Sequence, residues 1–356
     1  MDWTASGIKN SFRYELIDAR QLDVSYGWLD GVVGGTLTEG YRSDYRVSAS
    51  LNLDGAEIPL GTAVRIWHDA ELNGETYTEC LATLFPELDA AEYKLGRWSG
   101  AADLHSALKR LDTDKRQGNR TINGSLLVKD RFIAIVKASG GSPIVKPFFS
   151  SGQTLGAGHV WQGGESVLTE CNRCANACSG WIGVDVYGHV TLEPYQLPAS
   201  RTVSFDIQPA TLFLVGFNRD AKEIVNKVVA TYTKDDTPYE AVAVVSDTHP
   251  WAFNRIGRWE TYVATVDNID TNATAGQIQD ALNNKVVQEL RSHSDVTGTY
   301  SASILYTPEV YTGAVGNIYY QDSPDDEGIT KKMFVSGREI SLDAAMVTNL
   351  TLEEVL

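Results

Sequence analysis

The sequence predicts a β-rich α+β protein. A β domain with one helix spans residues 1–115, a small mixed α/β domain spans 116–200, and a second β domain spans 201–356 with a helix-containing insertion at about 247–297. Three observations carry this reading. β-branched and aromatic residues fall in short alternating runs, the pattern of strands with one buried face. Turn dipeptides that supply left-handed positions, Asp30-Gly31, Asp54-Gly55 and Asn73-Gly74, punctuate those runs. Helical spacing is concentrated in the middle of the chain and returns once in the last third. At 356 residues the chain has room for two or three domains with their own cores.

The elements follow in order. In Tyr45 to Leu53, residues Tyr45, Val47, Ala49, Leu51 and Leu53 share one face and polar residues the other, which predicts a half-buried antiparallel strand. Val64 to His68 and Thr76 to Phe85 flank Asn73-Gly74 as a hairpin, so the first hundred residues read as a sandwich or barrel. Ser99 is placed to cap a helix carrying Leu104, Leu108 and Leu111. Ser125 is placed to open a second helix through Phe132, Ile133 and Val136, ended by Gly140-Gly141, although Arg131 to Val136 also reads as a buried strand. Trp181 to Leu192 reads as two short strands around a turn at Asp185 to Gly188. Pro194 and Pro198 mark the boundary before alternation resumes in Thr202 to Ile207 and Lys227 to Thr233. The capping box Thr274-x-x-Gln277 opens a helix lined by Ile278, Leu282, Val286 and Leu290. Arg338 to Leu342 and Val347 to Leu356 close the chain as strands.

Three of the four cysteines cluster as Cys171-Asn172-Arg173-Cys174-Ala175-Asn176-Ala177-Cys178. The spacing offers three thiolates to an iron–sulfur cluster, with Cys80 or a histidine as the fourth ligand. A helical reading competes with it. Val167, Leu168, Cys171, Cys174, Ala175 and Cys178 form one apolar stripe that Gly180 would end, and free cysteine behaves there as a small hydrophobe. Ligands on one stiff helix cannot wrap a cluster, so the core reading is preferred and no metal or cofactor is expected.

Catalytic signatures are missing. The sequence has no G-x-S-x-G elbow, no His-Glu-x-x-His, no Walker loop and no G-x-G-x-x-G opening a helix. Pro143 blocks the helix that a phosphate cradle would need after Ser139-Gly140-Gly141-Ser142. The histidines, His68, His105, His159, His189, His249 and His293, are scattered without ligand spacing. Asp322, Asp325, Asp326 and Glu327 lack the alternation of a calcium loop and read as a solvated hairpin loop. No catalytic, cofactor-binding or metal residue is assigned, and the chain is expected not to be an enzyme. A hydrolase built on an acid pair set by the fold remains open as a minor reading.

Charge excludes further classes. Thirty Lys and Arg against 46 Asp and Glu give a net charge of −16, with no basic patch to displace phosphate counterions. Sequence-specific nucleic-acid binding is disfavoured. No apolar run approaches the ~20 residues that cross a bilayer, and Met1-Asp2-Trp3-Thr4 opens no signal peptide, so synthesis in the cytosol is expected. The sequons at Asn119, Asn123, Asn272 and Asn349 are then chance.

Five stretches in a fixed order carry a resemblance. They are Trp28 to Gly35, Gly61 to Trp67, and Gly164 to Leu168 running through the cysteine helix to Gly180–Asp185; then Ile224 to Tyr232, and Ile256-Gly257-Arg258 followed by the Ala281 to Leu290 helix. In that order they resemble the tail hub, or tail-associated, proteins of long-tailed bacteriophages, which are similar in fold to contractile-tail baseplate hubs and type VI secretion spikes. The resemblance implies two tail-tube-like β-barrel or sandwich domains side by side, bracketing the α/β domain. It implies a structural virion protein: a homotrimeric tail hub that closes the distal tail tube and forms a channel for genome passage. Implied partners are the distal tail or tail-tube hexamer, the tape-measure protein and receptor-binding or tail-fibre proteins. DNA would cross the lumen without sequence-specific binding, at a tail tip assembled in the host cytoplasm. Relatives often add a peptidoglycan-cleaving or fibrous extension, and because this chain ends at Leu356 that activity is not expected here. The alternative is a carbohydrate- or receptor-binding tail protein, for which eight Trp and sixteen Tyr offer stacking faces.

Overall fold

The structure, a computed structural model, describes residues 3, 7–87, 92–94, 97–156, 158–207, 212–218, 225–249, 251–266, 269, 273–294, 296–320 and 329–355. The first region holds β1 (Lys9–Asp18), β2 (Ser25–Trp28), β3 (Val32–Gly40), β4 (Val47–Asp54), β5 (Thr62–Leu72), β6 (Glu75–Pro86), β7 (Glu92–Lys94) and β8 (Arg97–His105). Helix α1 (Ala107–Thr113), β9 (Arg120–Ile122), α2 (Val128–Ala138), β10 (Pro143–Val145), β11 (His159–Trp161), α3 (Val167–Ala177), β12 (Gly180–Val184) and β13 (Val190–Pro194) make the middle. The last region holds β14 (Val203–Ile207), β15 (Leu212–Asn218), β16 (Lys227–Lys234), β17 (Thr237–Val244), α4 (Phe253–Ile256), β18 (Thr261–Ala264) and α5 (Ala275–Ser294). It closes with β19 (Val296–Leu305), β20 (Val315–Tyr320), β21 (Ile329–Ser341) and β22 (Val347–Val355).

The β regions at the two ends of the chain share one 14-stranded sheet. Its path runs β15-β19-β22-β21-β3-β4-β8-β6-β5-β1-β2, with β20 and β14 attached through β21 and β7 attached to β8. Three small sheets stand apart: β10-β13-β12 and β11-β9 in the middle region, and β17-β16-β18 behind helix α5.

Local chemistry explains much of this. Asn73 and Gly74 take φ of 52° and 87° and close the β5–β6 hairpin in the mirror-image turn that matches strand twist. Asp235 and Asp236, at φ 47° and 60°, close β16–β17 in the same way. The other two Asp-Gly pairs close no hairpin. β2 pairs back on β1 while β3 pairs with β4, and the Asp54 amide donates to the Gly31 carbonyl at 2.7 Å, so the two dipeptides lie against each other.

The helices differ from expectation at their starts. Leu104 lies in β8 opposite Ala49, and α1 is capped by Ser106, not Ser99, with its Oγ accepting from the Leu108 amide. Strand pairing with β4 overrides the i, i+4 spacing that Leu104 shares with Leu108. Residues 131–136 are helical within α2, which starts at Val128 without a side-chain cap; Ser125 instead donates to Asn123 in the preceding turn. Ser166 caps α3, and Ser179, at φ 53°, makes the left-handed exit that Gly180 was expected to make. The capping box forms as read: Thr274 N donates to Gln277 Oε1 at 2.9 Å, and Gln277 N to Thr274 Oγ1 at 3.3 Å. The acidic loop at Asp322 to Glu327 lies outside the described residues.

Four main cores result. One, in the first β region, contains Leu37, Leu51, Val64, Ile66 and Leu104 and also takes Tyr306, Ile340, Leu342 and Met346 from the last region. A second gathers α1, α2, α3, β12 and β13 around Phe132, with Ile17, Ala63 and Phe85 contributed by the first region. A third fills the last β region around Ala302, Val335 and Leu350. The fourth belongs to residues 225–290 alone, where α5 packs Ile278, Leu282 and Val286 on Val228 and Ala230. Among the described residues no helix is long and apolar enough to cross a membrane.

Candidate functional site

The seam between the two β regions is built by β3 and β21. Gly40, Glu39, Thr38, Leu37 and Thr36 face Gly337, Arg338, Glu339, Ile340 and Ser341 in antiparallel register. Leu37 and Ile340 are fully buried. Beside them Arg338 donates Nε and Nη2 to the two Glu39 oxygens, each at 2.8 Å, and Nη1 to the Val310 carbonyl at 3.1 Å. Burial works against the Arg338 charge, but Glu39 holds its pKa above the ordinary value.

A second set of contacts crosses the same seam. Tyr306 donates its hydroxyl to Glu79 Oε1 at 2.7 Å, and burial pushes its phenol far above the usual range. Fully buried His68 sets Nδ1 3.0 Å from Glu79 Oε1 and Nε2 3.0 Å from Asn10 Oδ1. Asn10 Nδ2 reaches the Ala344 carbonyl at 3.3 Å, which orients the amide. Trp3 and Tyr306 pack against the same imidazole. The seam therefore combines a backbone ladder, an apolar pair and buried polar links, the makeup of a permanent joint.

The α/β unit is fastened to both β regions. Trp181 stacks on Tyr41 with centroids 4.7 Å apart and planes 13° from parallel, and the Arg46 guanidinium lies 3.9 Å above the Trp181 ring. Burial lowers the Arg46 pKa to about 10. Arg201 bonds the Tyr41 hydroxyl at 2.6 Å, bringing in the last region. The Asp185–Gly188 turn rests on β6, where Thr83 Oγ1 donates to the Val186 carbonyl at 2.8 Å.

Helix α3 carries the cysteines as its core face. Cys171 and Cys174 are fully buried, and burial pushes both thiols well above their ordinary pKa. Among the described residues no three His, Cys, Asp or Glu side chains are grouped as metal ligands. Cys80, the suggested fourth ligand, lies on β6 with its Sγ 3.3 Å from the Val186 carbonyl.

The same helix holds a buried charge cluster that sequence reasoning missed. Glu170 is fully buried; it accepts from Arg131 Nε at 2.9 Å, lies 2.7 Å from His159 Nε2, and takes a longer contact from Arg173 at 3.4 Å. Arg173 also pairs with Glu165 at 2.6 Å. The signal was present: a glutamate at position 170 interrupts the apolar stripe of Val167, Leu168, Cys171 and Cys174. His159 and Arg173 face a cleft of about 500 Å³ between the α/β unit and α5.

These features define a class by fold: two β regions joined edge to edge in one sheet, with an α/β unit clamped to both. Solved structures of phage tail proteins and of a VgrG complex are similar to it in fold. No protein-family model and no curated protein matches the chain. Solved structures do. The tail protein from Neisseria meningitidis MC58 superposes with a TM-score of 0.66 at 11% identity, covering 97% of both chains. The 43 kDa tail protein of prophage MuSo2 from Shewanella oneidensis gives 0.56 at 13% identity, over 96% of this chain and 98% of that one. A chain of the lidded Francisella PdpA–VgrG complex gives 0.56 at 10% identity, over 99% of this chain and 53% of that one. The resemblance read from the sequence is borne out at the level of fold.

Proposed function

We propose that this protein is a structural tail hub: a homotrimer that closes the distal end of a phage tail tube and surrounds the channel through which the genome leaves. The observation that carries the reading is the continuous sheet. One chain sets two β regions side by side across the β3–β21 seam, so three chains supply six such units, the number that a hexameric tube presents. Among the described residues the sheet path ends on β15 and β2, and open edges of this kind invite pairing with another chain unless they are covered or blunted. Ring closure covers them through a heterologous interface, the first β region of one copy against the last region of the next. Such an obligate contact is expected to bury roughly 2,000 Å² or more.

The charge suits a conduit. A wall that repels phosphate lets DNA pass without gripping it, and the chain carries −16. On this reading the partners are the distal tail or tail-tube hexamer on one side, and the tape-measure and receptor-binding or fibre proteins around it. The chain itself performs no chemistry; release of soluble muropeptides from purified cell walls, lost on a single carboxylate substitution, would overturn that part. Mass photometry and negative-stain microscopy test the whole. A ring of three that docks on tail-tube hexamers is expected, and a chain that stays monomeric at tens of micromolar and binds no hexamer sinks the proposal.

A further inference from the structure

We infer that the cleft between α5 and the α3 side of the α/β unit binds a neutral, polyhydroxylated ligand, a short saccharide. This rests on the lining of the cleft and not on the hub reading. Its volume, about 500 Å³, falls within the roughly 300–1,000 Å³ of small-molecule sites. The two walls are held in place where Gln288 bonds Asn176 and where His159 bridges to Ile269.

Five carboxamides line the cleft. Gln153 and Asn176 stand on one wall; Gln277, Asn284 and Gln288 stand on the other. A carboxamide offers two N–H donors at one end and an acceptor at the other. The protein occupies one end of four of them. Gln153 Nε2 donates to the Ala177 carbonyl at 3.0 Å, Gln288 Nε2 donates to Asn176 Oδ1 at 2.8 Å, and Gln277 Oε1 accepts from Thr274. Among the described residues this leaves Gln153 and Gln288 oxygens as fixed acceptors and Asn176 and Gln277 amino groups as fixed donors, with Asn284 supplying both.

Three of the four titratable side chains that face the cleft have partners inside the protein. Arg173 is paired with Glu165 at 2.6 Å, Lys285 with Glu289 at 2.6 Å, and His159 with buried Glu170 at 2.7 Å. Asp280 adds a carboxylate to the lining, which opposes an anionic ligand. A phosphate or carboxylate only accepts and an ammonium only donates, whereas each sugar hydroxyl does both. Mixed donors and acceptors, with the Asp280 carboxylate also able to accept from a hydroxyl, therefore favour a polyol. Leu155, Val266 and Ile269 supply an apolar wall for the C–H face of a pyranose ring.

The test uses the full chain on an array of neutral mono- to tetrasaccharides, followed by calorimetric titration of the best hit. Saturable binding that is insensitive to salt is expected, weakened at least ten-fold by Asn284→Leu and by Asn176→Leu. Both side chains are exposed; Asn284→Leu should keep the parent melting curve, and Asn176→Leu, which also removes the Gln288 bond between the walls, counts only where its melting curve matches the parent's. If one of them misfolds, the other decides alone. No hit at millimolar ligand, binding unchanged in the folded variants, or binding only to acidic glycans or peptides overturns the inference. Trimer formation, measured separately, reports on the hub reading and is expected to be the same in every variant.

Discussion

Arg338 and Glu39 lie 299 positions apart and meet across the β3–β21 seam in a two-point ion pair with both contacts at 2.8 Å. The guanidinium and the carboxylate are about nine-tenths buried. Breaking a buried pair on one side strands the other charge and costs about 3–5 kcal/mol, while replacing both partners by apolar residues is often neutral. Glu39→Ala should therefore destabilise the chain by about that amount in denaturant titration, and Glu39→Leu with Arg338→Met should recover most of it. A loss under about 1 kcal/mol for Glu39→Ala means that the Leu37–Ile340 contact and the ladder hold the seam without the pair.

The thiols of α3 give a second expectation. Burial raises Cys171 and Cys174 well above their ordinary pKa, and raises Cys178 to about 11 and Cys80 to about 12, so little thiolate exists near neutrality. Native protein at pH 8 should resist alkylation, and unfolded protein should label at all four cysteines. Cys174→Ala should cost on the order of 1 kcal/mol through lost packing. Elemental analysis finding an equivalent of iron or zinc in reductively purified protein would contradict the packing role.

Acid should expose the Glu170 cluster. Burial alone would raise the Glu170 pKa, but the His159 hydrogen bond and the Arg131 charge outweigh it and hold the carboxyl below its usual 4.5. A carboxylate lowered on folding stabilises fully above its unfolded pKa, and that contribution is lost as pH falls through the lower folded value. Glu165 shifts the same way: burial opposes, and the Arg173 bond prevails. Stability should fall steeply below about pH 4.5, and Glu170→Gln should be less stable at neutral pH with a shallower acid limb. Parallel limbs for the two proteins would show that Glu170 does not govern the acid transition.

The sequence was most informative where structure is decided locally. The α3 stripe, the Thr274–Gln277 capping box and the Asn73-Gly74 hairpin each depend on residues within a turn or two of one another. Asp30-Gly31 and Asp54-Gly55 show the limit, because a turn dipeptide specifies a backbone shape and not the partner of the next strand. The seam lies further beyond local pattern: Ile340 reads as a strand position, and nothing near it in sequence says that it faces Leu37. Leu104 shares helical spacing with Leu108 and Leu111, yet it lies in β8, because pairing with Ala49 on β4 outweighs that local pattern.

Close strand approach yields a fourth prediction. A Cβ on Gly35 would lie 2.3 Å from the Ser50 carbonyl oxygen and 3.1 Å from Leu51 Cα, backbone atoms that cannot turn aside. Gly35 pairs with Leu51 on β4, and its carbonyl receives the Leu342 amide at 2.9 Å. Gly35→Ala should force β3 from β4 and cost about 1–3 kcal/mol by overpacking, with the loss seen in both β regions at once. A thermal midpoint within a degree of the parent would show that the strand pair relaxes freely.

Assembly supplies the last prediction, and it follows from the charge and the edges together. Each copy brings −16, so bringing copies together adds a like-charge term that opposes association, and added salt screens it within about 10 Å at 0.1 M. The attractive terms expected at the interface are strand pairing at β15 and β2 and an apolar centre, which salt weakens little or strengthens. The proposed trimer should therefore be at least as stable in half-molar salt as at low ionic strength, measured by mass photometry across a dilution series. A ring that dissociates on adding salt would instead place complementary ion pairs at the subunit boundary, and the open edges of the sheet would then need another cover.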